Sequence, residues 1–459
     1  MSVVFVIALL GLIAAGYYLG QNRALRYRAA DGPRLHSLPS YYGFYAALWC
    51  ALPAAALLLV WMAGEGMLIE SLILADIESE LTGLSANEVG LVMNDIRNLA
   101  SGGITSGDPS PLIKAAAQRY ANLHHISLMA MFVLSLAIGA GGLLLAYRRV
   151  NPTFRARNRV ERIIMALLML SSTIAILVTI GIVLSLLFEA LRFFAQVPFT
   201  EFIFGLKWSP QIAIREDQVG SSGAFGAVPV FAGTLLISFI AMCVAAPIGL
   251  FSAIYMSEYA SRRFRSVVKP VLEILAGIPT VVYGFFAALT VAPFLRELGN
   301  SLGLDVASES ALAAGAVMGI MIIPFVSSLS DDVITAVPNA MREGSYGLGA
   351  TKSETIRRVV LPAALPGIVG ALLLAVSRAI GETMIVVMAA GLSANLTANP
   401  FAAVTTVTVQ IVTLLTGDQE FDSPKTLAAF ALGLVLFVAT LGLNIIALRV
   451  VRKYREQYD

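Results

Sequence analysis

Two charged residues lie in the middle of one of the most apolar segments of the chain. The segment reads GIVGALLLAVSRAIGETMIVVMAAG, and within it Arg378 and Glu382 are four residues apart. This spacing places both side chains on one face of a continuous helix. A charge at this depth in a bilayer costs on the order of several kcal/mol unless it is paired or lines an aqueous path.

Two interpretations of this pair remain open. In the first, Arg378 and Glu382 neutralise each other and lock the packing of the helix. In the second, Arg378 lies on a translocation path and offers its planar set of N–H donors to an oxyanion. Glu382 then holds the guanidinium in place or accepts a proton from a partly protonated anion. An unpaired carboxylate beside the path would repel anions, so the second interpretation also needs the pair.

A second candidate is the polar stretch Glu343–Pro362, EGSYGLGATKSETIRRVVLP, in which the letters GATKS resemble a nucleotide-binding loop. A P-loop needs a glycine directly before its lysine and another glycine five residues earlier. Here Ala350 and Thr351 come before Lys352, and no apolar strand leads into the stretch. No similar motif occurs elsewhere in the sequence. We therefore expect this chain to bind no ATP and no other cofactor.

Helical signals explain the same stretch better. Thr351 and Glu354 form a T-x-x-E capping box, which satisfies free backbone donors at a helix start. Two arginines at 357–358 follow toward the helix end, where positive charge suits the helix dipole, and Leu361-Pro362 is expected to close the helix. Upstream, Glu343 is expected to begin a shorter helix. The sequence thus predicts two short amphipathic helices that need a partner, either lipid headgroups or another protein.

Other charged residues near the spans are expected to have structural roles. Lys269 and Glu273 are four residues apart at the end of an apolar segment, which favours an interfacial anchor. Asp331 and Asp332 are expected to open a polar loop, where they cap a helix or face solvent.

No residue pattern of an enzyme or a metal site is present in the sequence. Cys50 and Cys243 both fall inside apolar segments, and the three histidines lie at segment edges without ligand spacing. The apolar segments contain no Ser/His, paired-Asp or HExxH arrangement, as an intramembrane protease would need. We expect no catalytic residue, no metal and no enzymatic activity.

Composition predicts an all-α polytopic membrane protein. Of 459 residues, 58% are hydrophobic and 13% are charged, which is too little charge for a water-facing surface. About 20 apolar residues suffice to cross a bilayer. The sequence predicts nine such helices: Ser2–Gly20, Tyr41–Gly64, Ile126–Tyr147, Ile163–Phe188, Val228–Met256, Ile274–Leu295, Ala311–Leu329, Ala363–Met388 and Thr426–Leu448.

Arginine and lysine are concentrated in every second loop between these segments, and such loops favour the cytoplasm. With nine spans, this parity predicts a periplasmic N-terminus and a cytoplasmic C-terminus. The stretch Glu343–Pro362 then lies in the cytoplasm. The sequence also predicts two parts: residues 1–160, with three spans and an external amphipathic segment at 65–125 that caps the membrane, and residues 161–459, with six spans.

The stretch Glu343–Pro362 resembles the EAA loop of bacterial ABC importer permeases. The pattern of that loop is E-A-A, three residues, G, nine residues, I, one residue and L-P, and it is matched here by Glu343, Gly349, Val359, Leu361 and Pro362. Gly344 and Ser345 replace the two alanines. The resemblance implies a cytoplasmic coupling helix at 343–362 that fits a cleft in a separate ATPase subunit, and a six-helix type I permease core.

Longer stretches are similar to the phosphate ABC importer permeases, and closer to their PstC-type than to their PstA-type subunits. They include GETMIVVM, AGIPTVVYG and AAPIGLFSAIYMSEYASRRFR. The resemblance covers most of residues 200–455 and implies phosphate import across the bacterial inner membrane. It implies four kinds of contact: a PstA-type second permease, a homodimeric ATPase that holds the ATP-Mg, a periplasmic phosphate-binding protein, and membrane lipid. No nucleic acid partner is expected, and the sequence assigns no role to residues 1–160.

Two alternatives belong to other classes. An anion transporter or channel driven by an ion gradient would also need broken helices and a buried arginine, but it would not need a loop with EAA spacing. A structural or sensory membrane subunit would bind a partner and move nothing.

Overall fold

Long apolar helices dominate the chain. The computed structural model describes residues 2–29, 35–77, 86–103, 110–211, 223–416 and 423–455. Within those ranges, nine helices are long and apolar enough to cross a membrane. They are Val4–Tyr27, Pro39–Asp76, Pro111–Arg149, Ala156–Gln196, Val228–Tyr259, Thr280–Ser301, Ala311–Ala336, Lys352–Ile380 and Pro424–Val450. The predicted all-α class and the predicted number of spans are confirmed for the described residues.

The chain divides into two compact units, Met1–Leu177 and Val178–Asp459. The first unit contains four complete helices and the start of a fifth: α1 (Ser2–Ala29), α2 (Pro39–Asp76), α3 (Ala86–Ala100), α4 (Pro111–Arg149) and α5 (Ala156–Gln196). The sequence-based boundary at 160/161 stays a prediction.

The described parts of the predicted external segment at 65–125, which are residues 65–77, 86–103 and 110–125, pack as a helical bundle. Helix α2 has 38 residues and is therefore about 57 Å long, well beyond the ~30 Å of a bilayer core. Ile73 of α2 and Ile77, directly after its end, pack in one cluster with Ile96 of α3 and Ala116 of α4. Ion pairs from Arg97 to Glu70 and from Arg119 to Asp76 join the same helices. These packed apolar side chains hold the helix ends together outside the apolar layer.

The second unit begins within α5 and has a short motif of one helix and two strands before its next long apolar helix. Helix α6 (Phe199–Phe204) leads to two antiparallel strands, β1 (Trp208–Ser209) and β2 (Ala224–Phe225), with Trp208 opposite Phe225. Phe193 of α5 packs edge-on against Phe202 and Phe225, which ties this motif to α5.

The remaining elements of the second unit are helical. They run in the order α7 (Val228–Ile254), a π-helical turn π1 (Tyr255–Tyr259), α8 (Arg262–Ala276), α9 (Thr280–Phe286), π2 (Ala287–Val291), α10 (Ala292–Ser301), α11 (Ala311–Ala336), α12 (Asn339–Gly347), α13 (Lys352–Thr355), π3 (Ile356–Val360), α14 (Leu361–Ile380), α15 (Met384–Ala389), α16 (Val407–Leu415) and α17 (Pro424–Arg455).

Helices α7 and α11 form the centre of this unit, and small residues on α11 let the two backbones approach closely. A Cβ atom added at Gly315 would lie 2.7 Å from Ile240 Cβ, and one added at Gly319 would lie 2.7 Å from Val244 Cβ and 2.9 Å from the Ala241 oxygen. Small residues four apart allow such close packing in membranes, where apolar burial supplies no driving force between helices.

The sixth predicted span, Ile274–Leu295, is wrong in its start. The chain breaks at 277–279, where Pro279 has an extended backbone (φ −56°, ψ 136°), and the apolar helix begins at Thr280. Proline disfavours helical geometry in the residue before it, so the segment before it belongs to a different helix. That helix, α8, is amphipathic and has no buried residue.

We expect Gly319→Val to destabilise the second unit by about 1–3 kcal/mol, because the added methyl groups enter a packed contact. The measurement is the apparent melting temperature of the purified full chain in detergent. Gly442→Val, in α17, is the matched control because open space surrounds that position. An equal loss in both variants would contradict the assigned close packing.

Candidate functional site

The two central charges are not on one helix face, which corrects the sequence-based geometry. Helix α14 ends at Ile380, and Gly381 follows as its C-cap. The Glu382 carboxylate then accepts hydrogen bonds from the backbone N–H groups of Met384 (3.1 Å) and Ile385 (3.4 Å). Glu382 thus satisfies free donors at the start of α15, as a capping carboxylate does. No ion pair joins Arg378 to Glu382 in the part of the chain that the structure describes.

Arg378 is exposed at the end of α14, and its guanidinium carbon lies over the Phe325 ring at 5.8 Å from the centroid. This cation–π contact orients the guanidinium without occupying its N–H donors. Glu382, in contrast, is 9% exposed. The arginine is therefore held in place with its donors free for a ligand.

Phe325 also lines a cavity of about 220 Å³ in the second unit. The polar side chains around this cavity belong to α8 and α11: Lys269, Glu273, Ser327, Ser328 and Asp331. The Ser327 hydroxyl is fully buried and has no hydrogen-bond partner among the described residues. A hydroxyl in this position can donate to an oxyanion that enters the cavity.

Asp331 neutralises the positive charges beside this cavity. It lies inside α11 with 1% of its side chain exposed, and it pairs with Arg265 at 2.8 Å and with Lys269 at 3.0 Å. The hydrogen bond to Asp331 raises the pKa of Lys269 above its ordinary value. Lys269 also reaches Asp332 at 3.1 Å. The expectation that the two aspartates open a loop is wrong, and Lys269 pairs with them and not with Glu273.

The stretch Glu343–Pro362 begins as a helical hairpin. Helix α12 starts at Asn339, so Glu343 lies in its middle and not at its start. Gly349 has φ +83°, a left-handed conformation that favours glycine, and it turns the chain between α12 and α13. The predicted capping box is confirmed, since the Thr351 hydroxyl accepts from the Glu354 N–H and the Glu354 carboxylate accepts from the Thr351 N–H at 2.9 Å.

The predicted end of the second helix at Leu361-Pro362 is wrong. The chain continues without a break from Lys352 to Ile380, through the π-helical turn π3. In this turn the Leu361 N–H bonds to the Ile356 oxygen five residues back. The wider turn accommodates Pro362, which has no N–H to donate. The second half of the polar stretch, from Lys352, and the apolar span therefore form one continuous helix.

A buried ion pair fixes the base of this hairpin. Arg342, 13% exposed, binds Glu258 of π1 at 2.9 Å, and Glu258 is 8% exposed. Arg342 also donates to the backbone oxygens of Ile334 (2.8 Å) and Val337. Lys352 lies over the Tyr259 ring at 5.0 Å from its centroid. The sequence alone predicted the helices of this stretch but not their contacts with Glu258 and Tyr259, because these two residues are 84 and 93 residues away along the chain.

The tip of the hairpin is left open. Glu343 and Gly349 are exposed, and Leu348 is 91% exposed. Val359 and Leu361 are half-buried, and Leu361 packs on the cluster around Val360 and Ala364. The arrangement presents an apolar tip on a fixed base, which suits contact with another protein.

In the described residues, no group of three or more His, Cys, Asp or Glu side chains could hold a metal ion.

We expect Arg342→Gln to loosen the hairpin, because Glu258 then stays buried without its partner, at a cost of about 3–5 kcal/mol. Amide hydrogen exchange in residues 339–360 of the full chain should become at least about tenfold faster. Arg357→Gln is the control, since Arg357 is exposed. Unchanged exchange in Arg342→Gln would show that the ion pair does not hold the hairpin.

Two families match separate regions of the chain. Residues 4–178 match the family described as phosphate ATP-binding cassette transporter, and residues 245–456 match the family described as binding-protein-dependent transport system inner membrane component.

Several curated bacterial proteins are similar to the chain. The probable ABC transporter permease protein YqgH of Bacillus subtilis is 33% identical over 297 residues, which cover 64% of this chain and 90% of that protein. The phosphate transport system permease protein PstC of Mesorhizobium japonicum is 35% identical, with 47% of this chain and 70% of that protein covered. PstC 1 of Mycobacterium tuberculosis is also 35% identical, with 55% and 81% covered.

Two solved structures are similar at lower identity. A bacterial alginate ABC transporter, in complex with an alginate pentasaccharide-bound periplasmic protein, has a TM-score of 0.45 and 17% identity, and covers 66% of this chain and 99% of its own. The MetNI methionine ABC transporter has a TM-score of 0.36 and 18% identity, with 50% and 94% covered.

Proposed function

The chain belongs to the binding-protein-dependent permeases of phosphate ABC transporters, and on that premise we propose which residues carry phosphate and meet the partners. It is a multi-pass permease subunit of the inner membrane, of the PstC type, in an ABC importer of inorganic phosphate. The ion-gradient-driven alternative is not favoured, because these relatives are ABC permeases.

We propose that Arg378 binds phosphate on the translocation path. The observation that carries this role is the free guanidinium at the end of α14, held over Phe325 and without a carboxylate partner among the described residues. Guanidinium presents paired N–H donors that match two oxygens of a phosphate. Phe325 keeps the donors aimed along one direction, so phosphate needs little rearrangement to bind.

Glu382 has a different role in this proposal from the one that helical spacing suggested. Its carboxylate caps α15, and Thr408 donates to its backbone oxygen at 2.8 Å. These contacts fix the turn that follows α14, four residues after Arg378. A proton-accepting role is not needed. From Arg378, phosphate passes toward the cavity at Phe325, Ser327 and Lys269.

The hairpin at Glu343–Pro362 is the proposed coupling element for a homodimeric ATPase that holds ATP-Mg. Its exposed tip, with Leu348 outermost, enters a cleft of that subunit, and its base is tied to π1 by Arg342 and Glu258. Since Lys352 to Ile380 is one continuous helix, a push on the tip reaches Arg378 directly. ATP binding then opens the path outward, and hydrolysis returns it inward.

The remaining partners follow from the same premise. We propose a PstA-type second permease beside this chain and a periplasmic phosphate-binding protein that delivers the substrate to the external loops. The proposed orientation has a periplasmic N-terminus and a cytoplasmic C-terminus, because the hairpin and the arginine-rich loops then share the cytoplasmic side.

Arg378→Met should lower phosphate uptake by the assembled complex roughly 10- to 100-fold, because it removes charge-assisted hydrogen bonds worth about 1.5–3 kcal/mol. The measurement is uptake of radiolabelled phosphate into proteoliposomes, with assembly checked by co-purification of all subunits. Arg262→Met, an exposed arginine at the start of α8, is the matched control. Normal uptake by an assembled Arg378→Met complex would leave this residue a structural role only.

Gly349→Ala should reduce co-purification of the ATPase, because alanine in the left-handed conformation costs about 1–2 kcal/mol. Gly347→Ala is the matched control, since open space surrounds both positions and only Gly349 has a positive φ. A parallel measurement of ATPase stimulation by phosphate-loaded binding protein tests coupling. Full co-purification and stimulation in Gly349→Ala would contradict the coupling role.

A further inference from the structure

The first unit contains two neighbouring cavities that the transport mechanism does not use. They have volumes of about 450 Å³ and 490 Å³ and share Phe154, Arg159 and Arg162 in their walls. Both lie where α4 ends at Arg149 and α5 begins at Ala156. Because α4 and α5 each contain a candidate span, this short connection lies at a membrane–water boundary.

Four arginines surround these cavities without a counter-charge. Arg149, Arg155, Arg159 and Arg162 are all exposed. None of them forms an ion pair among the described residues, and the neighbouring Glu161 pairs with a different arginine, Arg157, at 2.6 Å. A preference of cytoplasmic loops for arginine explains the sign of this charge. It does not explain why the arginines converge on a preformed cavity.

Aromatic side chains form one wall of the 450 Å³ cavity, beside α2. Tyr45 and Trp49 of α2 face it together with Phe154. The Arg149 guanidinium lies 5.7 Å from the Trp49 ring centroid, and the Tyr45 and Phe154 rings are 4.8 Å apart. Aromatic rings of this kind prefer the headgroup level of a bilayer.

The connection that carries Phe154 is held rigidly within this unit. The Tyr42 hydroxyl donates to the Phe154 backbone oxygen at 3.0 Å, and the His36 N–H donates to the Pro152 oxygen at 3.0 Å. The Ser37 hydroxyl accepts from the Arg157 N–H at 3.2 Å. The cavity walls therefore exist before any ligand binds.

Apolar side chains continue from the cavities along both helices. Leu144 and Leu145 of α4 are 52% and 54% exposed, and Ile164 and Met165 of α5 are 46% and 60% exposed. An acyl chain can lie along this surface while a charged group stays among the arginines. The site thus has cationic donors for the phosphate of a phospholipid, an aromatic rim at the headgroup level and an apolar surface for the acyl chain.

We propose that these two cavities bind the phosphodiester headgroup of an anionic phospholipid, with Arg159 and Arg162 as its main contacts. Basic pockets beside membrane helices suit such headgroups. Free inorganic phosphate shares the anionic chemistry, but it would leave the aromatic wall and the apolar surface without a role. The site lies wholly within Met1–Leu177 and does not rest on the proposed transport function.

The test measures lipid binding to the purified full chain in neutral detergent. Native mass spectrometry follows the titration with phosphatidylglycerol and, separately, with zwitterionic phosphatidylcholine. The double variant Arg159→Gln/Arg162→Gln should bind phosphatidylglycerol roughly 10- to 30-fold more weakly than the original chain, because two charges near the headgroup are lost. Arg262→Gln/Arg263→Gln is the matched control, because it removes the same charge from exposed positions of another basic segment.

Three outcomes decide the proposal. Loss of phosphatidylglycerol binding in the first double variant alone, with an unchanged melting temperature, supports it. Equal binding by both double variants, or equal affinity of the original chain for the two lipids, overturns it in favour of general surface attraction. Displacement of the lipid by inorganic phosphate at similar concentration overturns the lipid assignment in favour of a soluble anion. A Trp49→Phe variant, which keeps an aromatic wall, should retain binding.

Discussion

The requirement that a charge in apolar surroundings find a partner organises the second unit. Asp331 is buried in α11 and is paired with Arg265 and Lys269 on α8. Glu258 is paired with Arg342, and the Glu382 carboxylate accepts hydrogen bonds from backbone N–H groups of α15. Arg378 at the end of α14 differs from these residues, because it is exposed and has no ion-pair partner among the described residues. The proposed partner of its guanidinium is a phosphate ligand.

Proline creates a second constraint, since it removes a backbone donor inside long helices. The turn π2 is followed by Pro293 and the turn π3 by Pro362. In each turn the N–H of the residue before the proline donates to the backbone oxygen five residues back. A π-helical turn lets a helix continue where proline would otherwise end it. At π3 this continuity places the second arm of the hairpin, from Lys352, and Arg378 on one helix.

The two units contribute different properties to the protein. The second unit contains the hairpin, the cavity at Phe325 and Arg378, for which we propose a phosphate route coupled to a separate ATPase. The first unit adds a helical bundle built on Ile73, Ile77 and Ile96 and an arginine-lined site at the membrane boundary. This region also matches a phosphate transporter family, over residues 4–178.

The sequence by itself determined the features that depend on local chemistry. Apolar length predicted nine spans, T-x-x-E spacing predicted the cap at Thr351, and the spacing from Glu343 to Pro362 indicated the permease family. Tertiary structure alone decided where helices end and which charges meet. Asp331 is buried because α8 brings Arg265 and Lys269 to it, and the Glu382 backbone oxygen accepts a hydrogen bond from Thr408, 26 residues away. Those partners are up to 66 residues apart along the chain, so no local spacing records them.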